Sequence, residues 1–415
     1  MITLLALLAC LQDKPPEESP LEVFYKDGLR FKTRDGVFEG YLTGYLRLHG
    51  RTVFDRPDDT DDPLRTVPDT VWMREARLET GGTLYKEWAW RFQLELDSGT
   101  YNQSTGAAPS GVTTLLQDGW VEWRKYPFLN VRLGQFKIPC SAEDYDSTRV
   151  MEFAERSPMN RLVPGREAGL EVHGRLLDDR LAYLAAVCHG QGYLKDKGRG
   201  VVDADDEKEA TLLLHAYPLE NVRLSLGGSI GDVDDLAASN FDLITTELSV
   251  LYLDSTAAAP LTFDGLRKRA DAAVSAWYGP AAIRAEVLYR EDELEGSSED
   301  DLETLGWFVT GSFLITGEDK NPFKRVAPAA DWGALEIAAR YARVDVRNAF
   351  DAGIAAAAGN SEEVSSITVG LTWWYGKFLR VTLQATHERF EDPLQFDNRE
   401  EDSLTGLVAR LQLDF

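Results

Sequence analysis

Basic residues are in deficit. Lys plus Arg number 44 against 69 Asp plus Glu in 415 residues, a formal charge of −25. Such a chain repels nucleic-acid phosphate, and no basic domain offsets the repulsion, so sequence-wide nucleic-acid binding is excluded. No apolar run approaches the ~18 residues of a membrane-crossing helix. That absence leaves a spanning β-barrel open, because barrel strands alternate and never register as hydrophobic runs. Cysteine is scarce: Cys10, Cys140 and Cys188 share no metal-ligand spacing. His189 beside Cys188 does not make a catalytic pair, since neighbouring strand residues point to opposite faces. A Cys140–Cys188 disulfide is available, but nothing in the sequence shows that it forms. The five histidines, His49, His173, His189, His215 and His387, have no ligand spacing, and no nucleophile elbow, Walker loop or HExxH occurs. Acidic pairs such as Glu291-Asp292 and Glu400-Glu401 imitate a glycosidase dyad, but loop solvation accounts for them better. No catalytic residue, metal site or cofactor is expected.

Aromatics are plentiful. Ten Trp, 15 Tyr and 18 Phe are too many apolar anchors for a disordered chain. Length alone would favour two or three soluble domains. Residues 1–27 read as an export signal and a flexible lead-in: MITLLALLAC is apolar, and residues 12–27 are rich in Pro, Glu and Asp. No Lys or Arg precedes the apolar run. Leu7-Leu8-Ala9-Cys10 resembles a lipoprotein signal-peptidase box, which would place a lipid on Cys10. Cleavage nearby, or a start codon placed too late, are the alternatives.

From residue 28 onward, apolar and polar residues alternate with period two. Trp88, Trp90, Phe92, Leu94 and Leu96 share one face, and Arg91, Gln93 and Glu95 the other. The same holds for Leu335, Ile337, Ala339 and Tyr341 against Glu336, Ala338 and Arg340. Sixteen strands are predicted at 37–48, 71–80, 86–97, 115–124, 129–137, 167–176, 180–189, 208–217, 221–230, 268–278, 281–290, 301–316, 332–344, 364–375, 378–388 and 403–415. Short turns alternate with long polar loops at about 49–70, 98–114, 138–166, 190–207, 231–267, 291–300, 345–363 and 389–402. The strand-like stretch 242–253 falls inside a loop. This pattern predicts an all-β fold: a transmembrane antiparallel β-barrel of about sixteen strands over 28–415, with short periplasmic turns and long extracellular loops. The apolar face would meet lipid and the polar face line the lumen. Trp72, Trp88, Trp120, Tyr126, Trp277, Tyr278, Trp307, Trp373, Trp374 and Tyr375 are expected in interfacial girdles. Phe415, ending an amphipathic strand, is the expected insertion signal for the barrel-assembly machinery. Leu411 and Leu413 would face lipid, whereas Gln412 would face the lumen and tolerate a charge. A soluble β-sandwich or propeller shares the alternation but has no reason to end in Phe.

The order of several segments resembles the phosphate-selective porin O and P family. They are Asp35-Gly36, Leu84-Tyr-Lys-Glu-Trp88, Val131-Arg-Leu-Gly-Gln-Phe-Lys-Ile-Pro139, Met151-Glu-Phe-Ala-Glu-Arg-Ser157, Pro164-Gly-Arg166, Trp332 through Val344, and Val369-Gly-Leu-Thr-Trp-Trp374. The resemblance implies an outer-membrane porin, usually trimeric, in which loop 138–166 folds inward and narrows the pore. It implies passive diffusion of small hydrophilic solutes, anions such as phosphate among them. In that loop Ser147-Thr148-Arg149 with Glu155-Arg156 matches the family's basic constriction pattern, with Arg in place of Lys. Arg149, Arg156, Arg161 and Arg166 are therefore the candidate constriction and anion-binding residues. Arg77, Arg91, Arg132, Arg223, Arg284, Arg340, Arg380 and Arg410 fall on the polar strand faces and are the candidate pore lining. Inward carboxylates, Glu75, Glu95, Glu286, Glu336 and Asp414, could instead pair with these arginines and only stiffen the wall. Expected partners are membrane lipid, lipopolysaccharide through ions on acidic loops, and small anions. The alternative function is a structural or surface-anchoring barrel without significant conduction; a secreted soluble β-rich protein is a third.

Overall fold

The computed structural model describes residues 21–54, 69–96, 115–190, 207–238, 241–255, 261–396 and 399–415. The export-signal and Cys10 expectations lie outside these residues. In chain order the strands are β1 (Leu21–Tyr25), β2 (Leu29–Thr33), β3 (Phe38–Phe54), β4 (Thr70–Leu84), β5 (Trp88–Glu95), β6 (Leu115–Tyr126), β7 (Leu129–Lys137), β8 (Arg166–Leu176), β9 (Leu181–Cys188) and β10 (Glu209–Leu219). They continue with β11 (Val222–Ala237), β12 (Leu243–Ile244), β13 (Leu251–Leu253), β14 (Thr262–Tyr278), β15 (Ala281–Glu295), β16 (Asp301–Leu314), β17 (Ala334–Val346), β18 (Glu363–Tyr375), β19 (Leu379–Phe396) and β20 (Arg399–Asp414).

Sixteen of these, β3–β11 and β14–β20, pair antiparallel in sequence order, and β20 returns to β3 from Thr405↔Phe54 to Asp414↔Tyr45, closing the barrel. Closure leaves no free edge among them. Phe415 continues the seam: its N–H and C=O pair with Gly44 at 3.0 and 2.9 Å. A Cβ on residue 44 would sit 2.8 Å from the Phe415 ring, so glycine there makes room for the ring. Leu21–Tyr25 is a strand rather than part of a flexible lead-in. The β1–β2 hairpin lies along β3 from Lys32↔Glu39 to Leu29↔Leu42, the stretch of β3 that β20 does not reach.

One end of the barrel carries tight turns, with a single long exception, 315–333. The other end carries the loops, and several are shorter than predicted. β19 and β20 still pair at Leu394↔Glu401, β15 runs to Glu295, and β11 and β14 leave only 238–261 between them. The stretch 242–253 forms a small hairpin, β12–β13, inside that connection.

The ribbons extend because the alternation persists with its polarity reversed. On β15, Ile283 and Val287 point outward and Arg284 and Glu286 inward; further along, Glu291 and Glu293 point outward while Leu288 and Leu294 point inward, with inward Arg290 and Asp292 between them paired to each other and Asp292 also to Arg267. On β17 the outward series runs Ile337, Tyr341, Arg343, Asp345, and the inward series Arg340, Ala342, Val344, Val346. A wall that leaves an apolar belt for water must turn its polar face out, and its apolar face needs another cover. That cover is the connections themselves. Met159, Leu162, Leu248, Val250, Tyr252, Leu253, Ala349 and Ile354 pack against inward Phe263, Leu302, Phe308, Val344 and Phe390. Complete burial of side chains of this size contributes about 1.5–3 kcal/mol each.

The girdle expectation needs correction for the same geometric reason. Trp88, Tyr126, Tyr278 and Tyr375 are exposed near the turn end, and Trp307 lies beside Tyr341 on the outer face. Trp72, Trp120, Trp277 and Trp374 instead point inward, against His49, Arg132, Phe323 and Arg380. In an adjacent pair such as Trp373-Trp374, one ring must face the lumen.

Candidate functional site

The segment between β7 and β8, residues 138–165, is a compact unit. Its root, Ile138 and Cys140, is buried with Phe136, Ala186 and Cys188, and both cysteines are free thiols. Ser141 caps a single-turn helix, α1 (Ala142–Tyr145), by accepting from the Asp144 N–H at 3.3 Å. The β15 carboxylate Glu286 accepts from Ser141 Oγ at 2.6 Å and from the Glu143 N–H at 2.8 Å. Arg156 closes the other end of α1, donating to the carbonyls of Glu143, Asp144 and Asp146 at 3.2, 2.7 and 3.0 Å. The Glu143 carboxylate accepts from Ser157 N–H and Oγ at 2.9 and 2.6 Å.

From there the backbone crosses the inner faces of β17–β20. Arg380 donates to Met151 O at 2.7 Å, Arg410 to Phe153 O at 3.4 Å and Arg340 to Glu155 O at 3.2 Å, while Ala154 N–H donates to Gln384 Oε1 at 2.7 Å. Its carboxylates are bound as tightly. Arg223 forks onto Asp146 at 2.8 and 2.7 Å, and Arg284 reaches Asp146 at 3.0 Å and Glu152 at 3.4 Å. Arg74 holds Glu155 at 2.7 Å. Burial alone would raise Asp146 and Glu155, but the Arg223 fork and Arg74 outweigh it and hold both below the usual carboxylate range. Two other segments join in. Lys320 of 315–333 is fully buried between Glu152 (3.4 Å) and Glu336 (2.5 Å). Glu247, beyond β12, pairs with Arg340 and Gln384.

The inward arginines divide into two populations. Arg47, Arg223, Arg284, Arg340, Arg380 and Arg410 are buried beneath these segments. Arg380 and Arg410 have no carboxylate within ion-pair distance among the described residues; they use Gln412, His49 and backbone carbonyls. The second population lies on the β4–β8 side and around Asp414 of β20, and it keeps contact with water. Here each guanidinium stands forward of its carboxylate. The Arg91 side chain is 33% exposed against 12% for Glu79 and 5% for Asp118. Arg149 is 23% exposed and Arg325 25%, against 6% for their shared partner Asp414. Arg132 at 14% covers Glu122 and Glu171 at 6% and 0%. Arg74 and Arg166 stand forward of Glu155 and Asp118 in the same way. The lumen water on this side therefore meets cations, with their counter-charges recessed.

A family model described as phosphate-selective porin O and P matches residues 46–415. The chain belongs to that family. It is 22% identical to Porin O of Pseudomonas aeruginosa over 423 residues, covering 94% of this chain and 91% of that protein. Among solved structures it resembles the outer-membrane channel DcaP of Acinetobacter baumannii (TM-score 0.58, 11% identity, 93% of this chain and 99% of that one). It also resembles an anion-selective porin from Comamonas acidovorans (TM-score 0.53, 14% identity, 91% and 100%). A third is the trimer form of OmpT from Vibrio cholerae (TM-score 0.55, 11% identity, 91% and 100%). The protein is an outer-membrane porin, a multi-pass β-barrel and a channel rather than an enzyme.

Within the porin, the sequence-derived candidates occupy distinct settings. Arg149 faces the lumen on Asp414, over the Tyr45 ring. Arg156 is spent on α1 carbonyls. Arg161 lies half-buried on the 3₁₀ turn Pro158–Leu162, and Arg166 opens β8 with its Nε on Asp118 at 2.9 Å. Arg77 bridges Glu75 and Glu95. Sequence reasoning missed Arg47, Arg74, Lys320 and Arg325. Arg47 was findable, because it shares the inward parity of Tyr45 and His49 against Leu46 and Leu48. Lys320 and Arg325 sit in a connection with no periodicity to read.

Proposed function

We propose that the porin passes small anions, inorganic phosphate among them, along a lane between residues 138–165 and the β3–β8 wall. The observation that carries this reading is the forward placement of guanidinium over recessed carboxylate. A charge 4 Å from a solute weighs about 4 kcal/mol at an effective dielectric of about 20, and one twice as far weighs half as much. Acidic groups outside the lumen are screened beyond about 8 Å. The local sign therefore outweighs the net −25. Arginine forks also suit the bidentate geometry of an oxyanion. In this reading Arg149 sits at the constriction set by 138–165, with Arg74, Arg91 and Arg132 along the lane and Arg325 at its turn end beside Asp414, and the porin works as a homotrimer.

A second reading, a barrel with little conduction, is favoured by the dry cluster that fills the loop end. Planar-bilayer recording separates them. Wild type should carry current, reverse on the anion side under a KCl gradient, and conduct in potassium phosphate. Absence of single-channel current would favour the second reading, and a cation-selective wild type would remove the anion assignment.

A further inference from the structure

Outside the barrel, a groove of about 730 Å³ opens on the belt face where β19, β20, β3 and β4 meet. Its floor is small: Ala409 stands opposite Gly50, and Ala385 beside Leu407 and Thr52. Leu383, Leu407 and Val71, all exposed, form its walls. One residue pair further toward the loops, His387 Nδ1 lies 2.8 Å from Thr405 Oγ1 on the outer face. The next pair is Arg389 and Ser403. Eight residues of strand separate Leu413 from Thr405, about 20 Å of height at the ordinary rise and tilt, so His387 lies near the top of a belt about 25 Å tall. Among the described residues, four other outward cations at this rim are neutralised by the protein. Lys268 pairs with Glu291, Arg343 with Glu363, Arg347 with Glu303 and Arg399 with Glu401. Arg389 is exposed and has no carboxylate partner among the described residues.

We propose that this groove is a lipid-binding site for the phosphorylated, multi-acyl glycolipid of the outer leaflet. An acyl chain fills the groove and a headgroup phosphate sits on Arg389, beside His387. The long-loop end of a porin faces outward, which places Arg389 at the outer leaflet's headgroups. The apolar trough supplies dispersion and burial, and the lone guanidinium supplies the charge that selects phosphate.

The test uses the folded full-length porin in neutral detergent, titrated with diphosphorylated hexa-acyl lipid A or its dephosphorylated form and read by native mass spectrometry. Wild type should bind one diphosphorylated lipid per chain at least tenfold more tightly than the dephosphorylated form. Arg389→Glu should abolish that preference, Ala385→Trp should weaken both forms, and Arg343→Glu, whose arginine is already paired, should change neither. Heat-modifiable migration confirms that each variant is folded; should Ala385→Trp fail to fold, Ala409→Leu fills the same groove. Equal binding of the two lipids, or an unchanged preference in Arg389→Glu, would overturn the proposal. So would disulfide cross-linking of Ala385→Cys between copies, which would put a second chain in the groove.

Discussion

Arg149 and Arg380 project into the same lumen with opposite consequences. Arg149 keeps contact with water and stands in front of Asp414. Arg380 is 2% exposed and spends its donors on Met151 O and Gln412. Arg149→Glu should therefore shift the reversal potential toward cations, while Arg380→Met should leave it where it is; a salt-gradient measurement on both variants checks this. An equal shift would mean that buried and exposed arginines govern the pore alike. Arg156→Glu would strip two carbonyls of α1 and that of its C-cap, Asp146, of their donor, so its effect should appear as loss of loop order rather than as a selectivity change. Gln412 faces inward as expected, but it is buried there. It accepts from Arg47 Nε at 3.0 Å and Arg380 at 3.1 Å and donates to Asp414, so a further arginine there would be buried against two others. Gln412→Arg should damage assembly as much as Leu411→Arg. Asp146 and Glu155 have lowered pKa values, so they bind protons more weakly in the folded protein than in the unfolded one. Their contribution is fully present above the ordinary carboxylate range near pH 4 and fades as pH falls through their lowered values. Amide hydrogen exchange across 142–156, corrected for intrinsic rate, should stay slow from pH 7 to 5 and accelerate below about pH 4.

At the scale of elements, the reversal of strand polarity explains what could be read beforehand and what could not. The sixteen strands were legible because inside the belt each alternates in one sense: Leu335, Ile337 and Ala339 against Glu336 and Arg340. Above Tyr341 and His387 the period persists with the opposite sense, and charged outward residues such as Glu391 and Arg399 resemble loop composition. The alternation therefore reads the ends of β11, β15, β19 and β20 as loops. The β1–β2 hairpin was obscured by the Pro- and Glu-rich residues before it, and 315–333 by the absence of any period. The candidate site was legible only as a set of arginines, because which of them water reaches depends on contacts between segments far apart in sequence. The reversal makes a paired prediction. Val287→Arg, on the belt, should cost about 2–4 kcal/mol at mid-depth, whereas Glu291→Arg on the same face of the same strand should cost little. On β17 the order inverts: inward Ala342→Arg should be harmful and outward Arg343→Ala tolerated. The folded fraction, read from heat-modifiable mobility, decides each pair.

For the molecule as a whole, the connections pack on the inner faces of the β11–β20 side and at the loop end, and the proposed lane runs along β3–β8. Glu247 links the β12–β13 hairpin to Arg340 and Gln384, so Glu247→Ala should loosen that filling and raise single-channel conductance with the sign of selectivity retained. Unchanged conductance would show that the current is limited elsewhere. The seam between β3 and β20 bears on how the molecule is made. It joins the first and last barrel strands, so it closes when the others are already paired. Arg47 meets Gln412 across it, Arg410 meets His49, and Arg149 reaches Asp414 only when β20 is in place. While the ribbon stands open, these guanidinium groups are hydrated; closure removes that hydration from Arg47, Arg380 and Arg410 together. Sealing thus carries a desolvation cost of the same kind as the steps that bury Arg223, Arg269 and Arg284 elsewhere in the wall. The cations most deeply buried in the finished wall are thus gathered where its first and last strands meet.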